Sequence, residues 1–181
     1  MGKQRKKLLL VDGYNVLRSG KRYQDVFAHP DYTDDVFNTA RERLINDVIN
    51  FAGRDYRAII VFDGADNEFS TGEVETIGGV RIMFSPAGTS ADKVIEKLAH
   101  DARVRNVETM VVTSDATIQD TVFGFGIDRM SANGFSREVG MYYEDVRLDE
   151  TPKVALKRTL GERIAPDVLE KLKAMRDGAD N

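Results

Sequence analysis

The chain has 181 residues, a length that suits one domain with room for a full core. Its composition, 41% hydrophobic and 31% charged, is that of a globular protein, and no apolar run is long enough to cross a membrane. The absence of cysteine excludes disulfides and thiolate metal sites and favours a reducing, cytoplasmic location. Two histidines are too few for a histidine-built zinc site, and we expect no signal peptide.

The net charge of −4 argues against a nucleic-acid binder when it is taken as a whole. Its distribution is uneven, because residues 1–22 hold a single acid, Asp12, among seven basic side chains. These basic residues are Lys3, Arg5, Lys6, Lys7, Arg18, Lys21 and Arg22. Local charge sets the field that a polyanion experiences, so two interpretations stay open: a basic surface for nucleic acid, or a solvated tail with a few surface cations.

Apolar runs alternate with helical patterns along the chain. In order, we predict a strand at 7–12, a helix at 33–53, strands at 57–64 and 78–86, a helix at 89–104, a strand at 108–115, a short helix through 123, a strand at 126–132 and a helix at 135–148. This alternation indicates an α/β fold with a mostly parallel sheet and helices on both faces. We expect residues 64–79 to form a loop or small hairpin, and residues 151–181 to form a basic helical extension of a domain at 1–150.

Three of the predicted strands end on an aspartate: Asp12, Asp63 and Asp115. The carboxyl ends of parallel strands meet at one edge of a sheet, where ligands bind. Taken singly, Asp115 is explained as a helix cap and Asp63 as a turn residue. Taken together, the three carboxylates repel one another, and such a cluster is retained where cations offset the repulsion.

A fourth acid, Asp92, lies in the first turn of the helix predicted at 89–104, with Glu96 one turn later on the same face. A capping box with Thr89 as N-cap would explain Asp92 without a ligand, and an exposed ion pair would explain Glu96. Hard oxygen ligands without His or Cys suit Mg²⁺ or Mn²⁺, ions that serve phosphoryl-transfer chemistry. We expect Asn15 to orient a carboxylate or a metal-bound water. Arg18, Lys21 and Arg22 would lie at the mouth of this edge, where a nucleic-acid backbone would run.

The stretches LLLVDGYNVL, IIVFDG, GTSADKVIEKLA, VVTSD and RMSANGFSREV occur in this order between about residues 7 and 148. Together they resemble the NYN domains of the PIN-like ribonuclease superfamily, specifically its YacP-like branch. The resemblance implies a three-layer α/β/α PIN-like fold and a metal-dependent endoribonuclease that uses Mg²⁺ or Mn²⁺. It also implies RNA as the partner, with a larger ribonucleoprotein such as the translation machinery as one setting.

The resemblance carries over to individual residues. Asp12, Asp92 and Asp115 match the acidic metal site, Asn15 matches the motif asparagine, and Asp63 and Glu96 fall where the family usually has acids. Arg129, Ser131 and Arg137 match the last motif of the branch, which we place near the substrate phosphate. Two alternatives stay open: a non-catalytic PIN-like RNA-binding module, and a haloacid-dehalogenase-type phosphatase. The phosphatase would need an acid two residues after Asp12, where this chain has Tyr14.

Overall fold

The computed structural model of the protein describes residues 6–28, 34–64, 72–122, 124 and 126–150. The described strands are β1 (Lys7–Asp12), β2 (Tyr56–Phe62), β3 (Val74–Ile77), β4 (Val80–Phe84), β5 (Thr109–Val112) and β6 (Ile127–Met130). The helices are α1 (Gly13–Ser19), α2 (Gln24–Phe27), α3 (Asp34–Ala52), α4 (Ala91–Val104), α5 (Ala116–Val122) and α6 (Ala132–Glu150), with a 3-10 turn at Lys21–Tyr23.

The strands form one six-stranded sheet in the order β3-β4-β2-β1-β5-β6. All neighbours pair in parallel except β3 and β4, which form an antiparallel hairpin. From the central strand β1 the chain first builds the side that holds β2 and β4, and it then crosses to build β5 and β6. This reversal puts the carboxyl ends of β1 and β5 side by side, which is where open α/β sheets bind ligands.

Alternate residues of β1 pack on opposite faces of the sheet, because successive side chains along a strand point to opposite sides. Leu8 and Leu10 belong to a core shared with α4 and α5, in which Ile95 and Ile118 are fully buried. On the other face, α1 and α3 contact β2, and Phe135 of α6 meets Phe51 of α3 with the ring centroids 5.3 Å apart. The predicted α/β class, with a mostly parallel sheet between helices, is therefore confirmed.

Helix α1 follows the first strand directly, beginning at Gly13 and ending at Ser19. Sequence periodicity missed this helix because it is only seven residues long and starts on a poor helix former. Gly13 is required there because a Cβ atom would overlap the ring of Phe62. The tight packing brings Tyr14 and Asn15 directly over the end of the sheet.

The glycine-rich stretch at 64–79 was predicted to be either a loop or a small hairpin, and part of it forms a hairpin. Residues 65–71 lie outside the described part, and Val74–Ile77 pairs with Val80–Phe84 through a two-residue turn. Gly78 and Gly79 have φ values of 56° and 83°, as in type I′ hairpin turns. The strand predicted at 78–86 was therefore too long at its start, because these glycines belong to the turn.

The other boundaries differ by a few residues from the prediction. Helix α6 begins at Ala132, three residues before the predicted start. The extension predicted at 151–181 and the cap candidate Thr33 lie outside the described residues, and so does the basic run up to Arg5. Contacts divide the chain into two units, Met1–Tyr142 and Tyr143–Asn181, and the whole sheet belongs to the first. Among the described residues, no helix is both long enough and apolar enough to span a bilayer.

Candidate active site at the carboxyl edge of the sheet

A cavity of about 390 Å³ opens at the carboxyl ends of the central strands. We call it the carboxylate cavity; it is lined by Asp12, Tyr14, Asn15, Arg18, Ser19, Asp63, Ala91, Asp92 and Asp115. Four of the five predicted metal-site acids therefore share one cavity, together with the predicted asparagine and one predicted arginine. Only Glu96 of that acidic set is outside the lining residues.

Asp12 is the most deeply buried of these acids, with 6% of its surface exposed. The hydroxyl of Thr113 donates a hydrogen bond of 3.1 Å to its Oδ2. Burial raises the pKa of the Asp12 carboxyl to about 6, and repulsion from Asp92 and Asp115 adds to the rise. The Thr113 hydroxyl and the Asn15 backbone N–H oppose it. A carboxylate whose charge is disfavoured by burial and by neighbouring acids is stabilised when a cation binds beside it.

Asp92 reaches the same cavity from the start of helix α4. The helix begins at Ala91, and Ser90 caps it by accepting a hydrogen bond of 3.4 Å from the Lys93 backbone N–H. The predicted cap, Thr89, was therefore wrong by one residue, which places Asp92 at the second helical position. Burial raises the pKa of Asp92, and the neighbouring acids Asp115, Asp63 and Glu96 raise it further.

Asp115 has two roles in the structure. Its Oδ1 accepts a hydrogen bond of 2.8 Å from the Thr117 backbone N–H, so it caps helix α5 as the simpler interpretation proposed. It also lines the carboxylate cavity. Its backbone N–H donates to the Thr113 hydroxyl oxygen at 3.1 Å, and that hydroxyl in turn donates to Asp12. Thr113 thus ties two of the acids together; the sequence showed it only as part of the VVTSD stretch.

Asn15 connects the two central strands at this edge. Its Oδ1 accepts a hydrogen bond of 2.8 Å from the backbone N–H of Ser114, at the end of β5. Helix α1 is therefore fixed against the loop that holds Thr113 and Asp115. The expectation that Asn15 orients a carboxylate or a metal-bound water stays a prediction.

Asp63 and Glu96 differ in position. Asp63 is exposed, lines the cavity, and accepts a hydrogen bond of 3.3 Å from the hydroxyl of Ser85. Glu96 accepts a hydrogen bond of 2.8 Å from the Thr121 hydroxyl on helix α5. Its influence at the cavity is electrostatic, because it is among the charges that raise the pKa of Asp92.

The predicted RNA-binding residues do not all gather at this cavity. Arg18 lines it, with its guanidinium 5.9 Å from the centroid of the Tyr14 ring. Lys21, Arg22 and Arg137 line a separate cavity of about 560 Å³. Arg129 donates a hydrogen bond of 2.8 Å to the Gln119 side chain, and Ser131 accepts one of 3.0 Å from the Gly134 backbone N–H at the start of α6.

The donor set of the carboxylate cavity fits a hard divalent cation. Carboxylate and amide oxygens line it. Burial, followed by repulsion between the acids, raises the pKa values of Asp12 and Asp92, and a bound cation would offset both effects. Across the described ranges, no three Asp, Glu or His side chains already lie close enough to share one ion. The arrangement therefore suits Mg²⁺ or Mn²⁺ held by one or two carboxylates and otherwise by water, a common mode for Mg²⁺.

Comparison with known proteins identifies the family of this chain. The family model described as YacP-like NYN domain matches residues 9–177. The chain belongs to the YacP-like NYN domain family. This YacP-like NYN domain is 34% identical over 133 residues to Uncharacterized protein YacP of Bacillus subtilis (strain 168), an alignment that covers 73% of this chain and 74% of that protein.

Two solved structures from Bacillus subtilis resemble this YacP-like NYN domain. A mutant of Rae1 (YacP) has a TM-score of 0.64 and 30% identity, with 87% of this chain and 89% of that chain covered. A second crystal structure of Rae1 (YacP) has a TM-score of 0.59 and 31% identity, with 95% of each chain covered. The family assignment made from the sequence motifs is thus confirmed. Membership of a PIN-like nuclease superfamily supports a nuclease-type function related to RNA.

Proposed function

We propose that this chain is an endoribonuclease that hydrolyses RNA phosphodiester bonds at the carboxylate cavity with the help of Mg²⁺ or Mn²⁺. The observation that carries the proposal is the meeting of Asp12, Asp63, Asp92 and Asp115 from four separate segments in one cavity of a YacP-like NYN domain. RNA, alone or in a larger ribonucleoprotein such as the translation machinery, is the proposed substrate.

Each side chain of the cavity has a distinct part in the proposed reaction. Asp12, Asp92 and Asp115 would surround the ion, one or two of them as direct ligands and the rest through bound water, with Asp63 at the rim. When bound, a divalent cation supplies activation of a water molecule and neutralisation of charge on the reacting phosphate. The Thr113 hydroxyl holds the Asp12 carboxylate in place. Arg18, at the opening, would contact a backbone phosphate of the strand.

The deciding experiment compares Asp12→Asn and Asp92→Asn with wild type on single-stranded RNA, in Mn²⁺, in Mg²⁺ and in EDTA. Asp120→Asn is the matched control, because Asp120 is an exposed carboxylate of α5 outside the lining of the cavity. We expect either site variant to lose at least about 100-fold in rate, the scale seen when one charge-stabilising group is removed from an active site. EDTA should abolish wild-type cleavage, and the control should cleave normally.

The products separate this reaction from contamination by a metal-independent ribonuclease. Attack by water leaves no cyclic phosphate, and a substrate with a 2′-deoxy sugar at the cleaved position should still be cut. Cleavage that survives in folded Asp12→Asn and Asp92→Asn would remove the assignment of the site. A wild-type protein that binds RNA and cuts none in either metal would favour the non-catalytic binding module.

The roles of Asp63 and Glu96 are tested by Mn²⁺ titration. Asp63→Asn should weaken Mn²⁺ binding more than Glu96→Gln, because Asp63 lines the cavity whereas Glu96 is hydrogen-bonded to Thr121. Asp92→Asn provides the reference for losing a ligand. If Glu96→Gln weakens Mn²⁺ binding as much as Asp92→Asn does, Glu96 is a ligand and does not act through its charge alone.

A further inference from the structure

The cavity that holds Lys21, Arg22 and Arg137 is a feature separate from the carboxylate cavity. We call it the basic cavity; it has a volume of about 560 Å³ and is lined by Lys21, Arg22, Asp25, Arg43, Asn133, Ser136 and Arg137. Its walls come from four places: the 3-10 turn after α1, helix α2, the middle of α3, and the first turns of α6. The family motif had suggested only some of these residues, with no indication that they share a cavity.

The basic cavity has the opposite charge to the carboxylate cavity. Four of its lining side chains are cationic, and Asp25 is its one acidic lining residue among those the structure describes. Both oxygens of Asp25 accept hydrogen bonds from the Arg43 guanidinium, at 2.9 and 3.1 Å. The charges of Lys21 and Arg137 have no such neutralising partner within the described residues. A positive cavity on a chain of net charge −4 is a local binding signal for an anion.

A network of hydrogen bonds holds the backbone next to the basic cavity. Asp47, with 1% of its surface exposed, accepts hydrogen bonds from Arg22 Nε at 2.7 Å and Arg22 Nη2 at 3.1 Å. The hydroxyl of Tyr23, itself fully buried, donates to the same carboxylate at 2.8 Å. The Lys21 backbone N–H donates to Asn133 Oδ1 at 3.0 Å, which joins the 3-10 turn to α6. The cationic side chains are therefore presented on a backbone that is already organised.

The two cavities are close along the chain. Ser19 lines the carboxylate cavity and Lys21 lines the basic cavity. Two residues of chain span at most about 7 Å, so the two cavities border each other at this point. A polymer with repeating negative charges can occupy both, whereas a small anion would occupy only one.

We propose that the basic cavity binds the phosphate backbone of the same RNA strand, some nucleotides away from the bond placed at the carboxylate cavity. This inference rests on the proposed function for its substrate class. Lys21 and Arg137 would provide the ionic contacts, and Arg22 and Asn133 would shape the cavity around them. Contacts to phosphates carry no base sequence, so the site would strengthen binding without selecting a sequence.

The test measures binding alone, on the full chain in EDTA, so that no cleavage is needed. Fluorescence anisotropy gives Kd for two unrelated 12-nucleotide single-stranded RNAs over a range of salt concentrations. The variant is Lys21→Gln with Arg137→Gln. The control is Arg54→Gln with Arg57→Gln, which removes the same charge from two exposed residues at the opposite edge of the sheet. Arg22 is left in place, because its loss would leave the buried Asp47 carboxylate without its cationic partner.

We expect the basic-cavity variant to raise Kd about 10-fold or more for both RNAs at low salt, and the control to change it less than about 2-fold. The slope of log Kd against log salt should fall by about 1.4, because each lost contact to a single strand is worth about 0.7. Equal Kd values for the variant and the control would overturn the inference, as would a loss confined to one RNA sequence.

The outcome is independent of the cleavage assay. Loss of binding in the variant with no cleavage by wild type would retain this inference and remove the proposed function. Normal RNA binding in the variant, together with metal-dependent cleavage by wild type, would overturn this inference and support the proposed function. A poly-glutamate peptide of equal charge is the last probe: if it binds as tightly as RNA and depends on Lys21 and Arg137 to the same extent, the cavity is a site for acidic protein instead.

Discussion

Replacing Asp12 by Asn should stabilise the metal-free protein at neutral pH. The pKa of Asp12 rises from 3.8 to about 6 on folding, because the carboxylate is buried beside Asp92 and Asp115. Keeping it ionised at pH 7.5 therefore costs about 3 kcal/mol, at 1.36 kcal/mol per pH unit. Asparagine avoids this cost, but its hydrogen bond with Thr113 is weaker, which lowers the stability by about 1 kcal/mol. The expected net gain is about 2 kcal/mol, or an increase in Tm of about 4–8 °C.

The gain depends on pH in a defined direction. Since the folded-state pKa is above the unfolded-state value, the folded wild type binds the extra proton, and its stability falls as pH rises from about 4 to about 6. The advantage of Asp12→Asn should therefore be absent near pH 4 and reach its full size above about pH 6.5. Saturating Mn²⁺ should stabilise wild type more than the variant and reduce the difference.

The assay is urea unfolding at pH 4.5 and 7.5 in EDTA, repeated at pH 7.5 with Mn²⁺, with wild type, Asp12→Asn and the control Asp120→Asn. The control should unfold like wild type in each buffer. If Asp12→Asn is less stable than wild type at pH 7.5 in EDTA, burial and repulsion do not dominate the energetics of Asp12, and the reasoning fails.

Three further substitutions test the framework around the site. Gly13→Ala should lower the free energy of unfolding by about 1–3 kcal/mol in urea unfolding, because its Cβ would overlap the fully buried ring of Phe62; an unchanged midpoint would contradict this close approach. Arg22→Met should lower the free energy of unfolding by about 3 kcal/mol, since it leaves the buried Asp47 carboxylate without its cation. Urea unfolding at pH 7.5 measures this loss, and an unchanged midpoint would contradict it. Gly79→Ala should cost only about 1 kcal/mol, because its positive φ is strained for alanine while the space around it is open, and a larger loss would mean that the hairpin turn packs differently.

The sequence predicted the central part of the fold because the relevant signals are local. Strand β1 was predicted with its exact bounds, since its apolar run is short and ends sharply at Asp12. The helices α1 and α2 were missed because each is too short to show a periodic pattern, and their stability comes from packing. Strand β3 was only half anticipated, because its four residues are all exposed and carry no core pattern.

The candidate site was partly predictable for a topological reason. Parallel strands bring their ends together whatever the details, so aspartates at strand ends could be grouped without coordinates. The basic cavity could not be assembled in this way, because Arg43 and Asp47 are on α3 and Asn133 is on α6, positions that sequence spacing does not relate. The role of Thr113 could not be predicted for the same reason. Its hydroxyl contacts both the Asp12 carboxylate and the Asp115 backbone N–H only because of the register between the strands.

Gly20, the residue between the two cavities, has a consequence for where a strand would be cut. It is buried, and a Cβ there would lie 2.6 Å from the Val16 carbonyl oxygen and 2.9 Å from Ser136 Oγ. The backbone at the end of helix α1 therefore packs directly against helix α6, and this contact sets the distance between the two cavities. An RNA held by its phosphates in one cavity would present a bond at a set number of nucleotides to the other. The two cavities together would fix the cleavage position relative to the phosphate that is bound in the basic cavity.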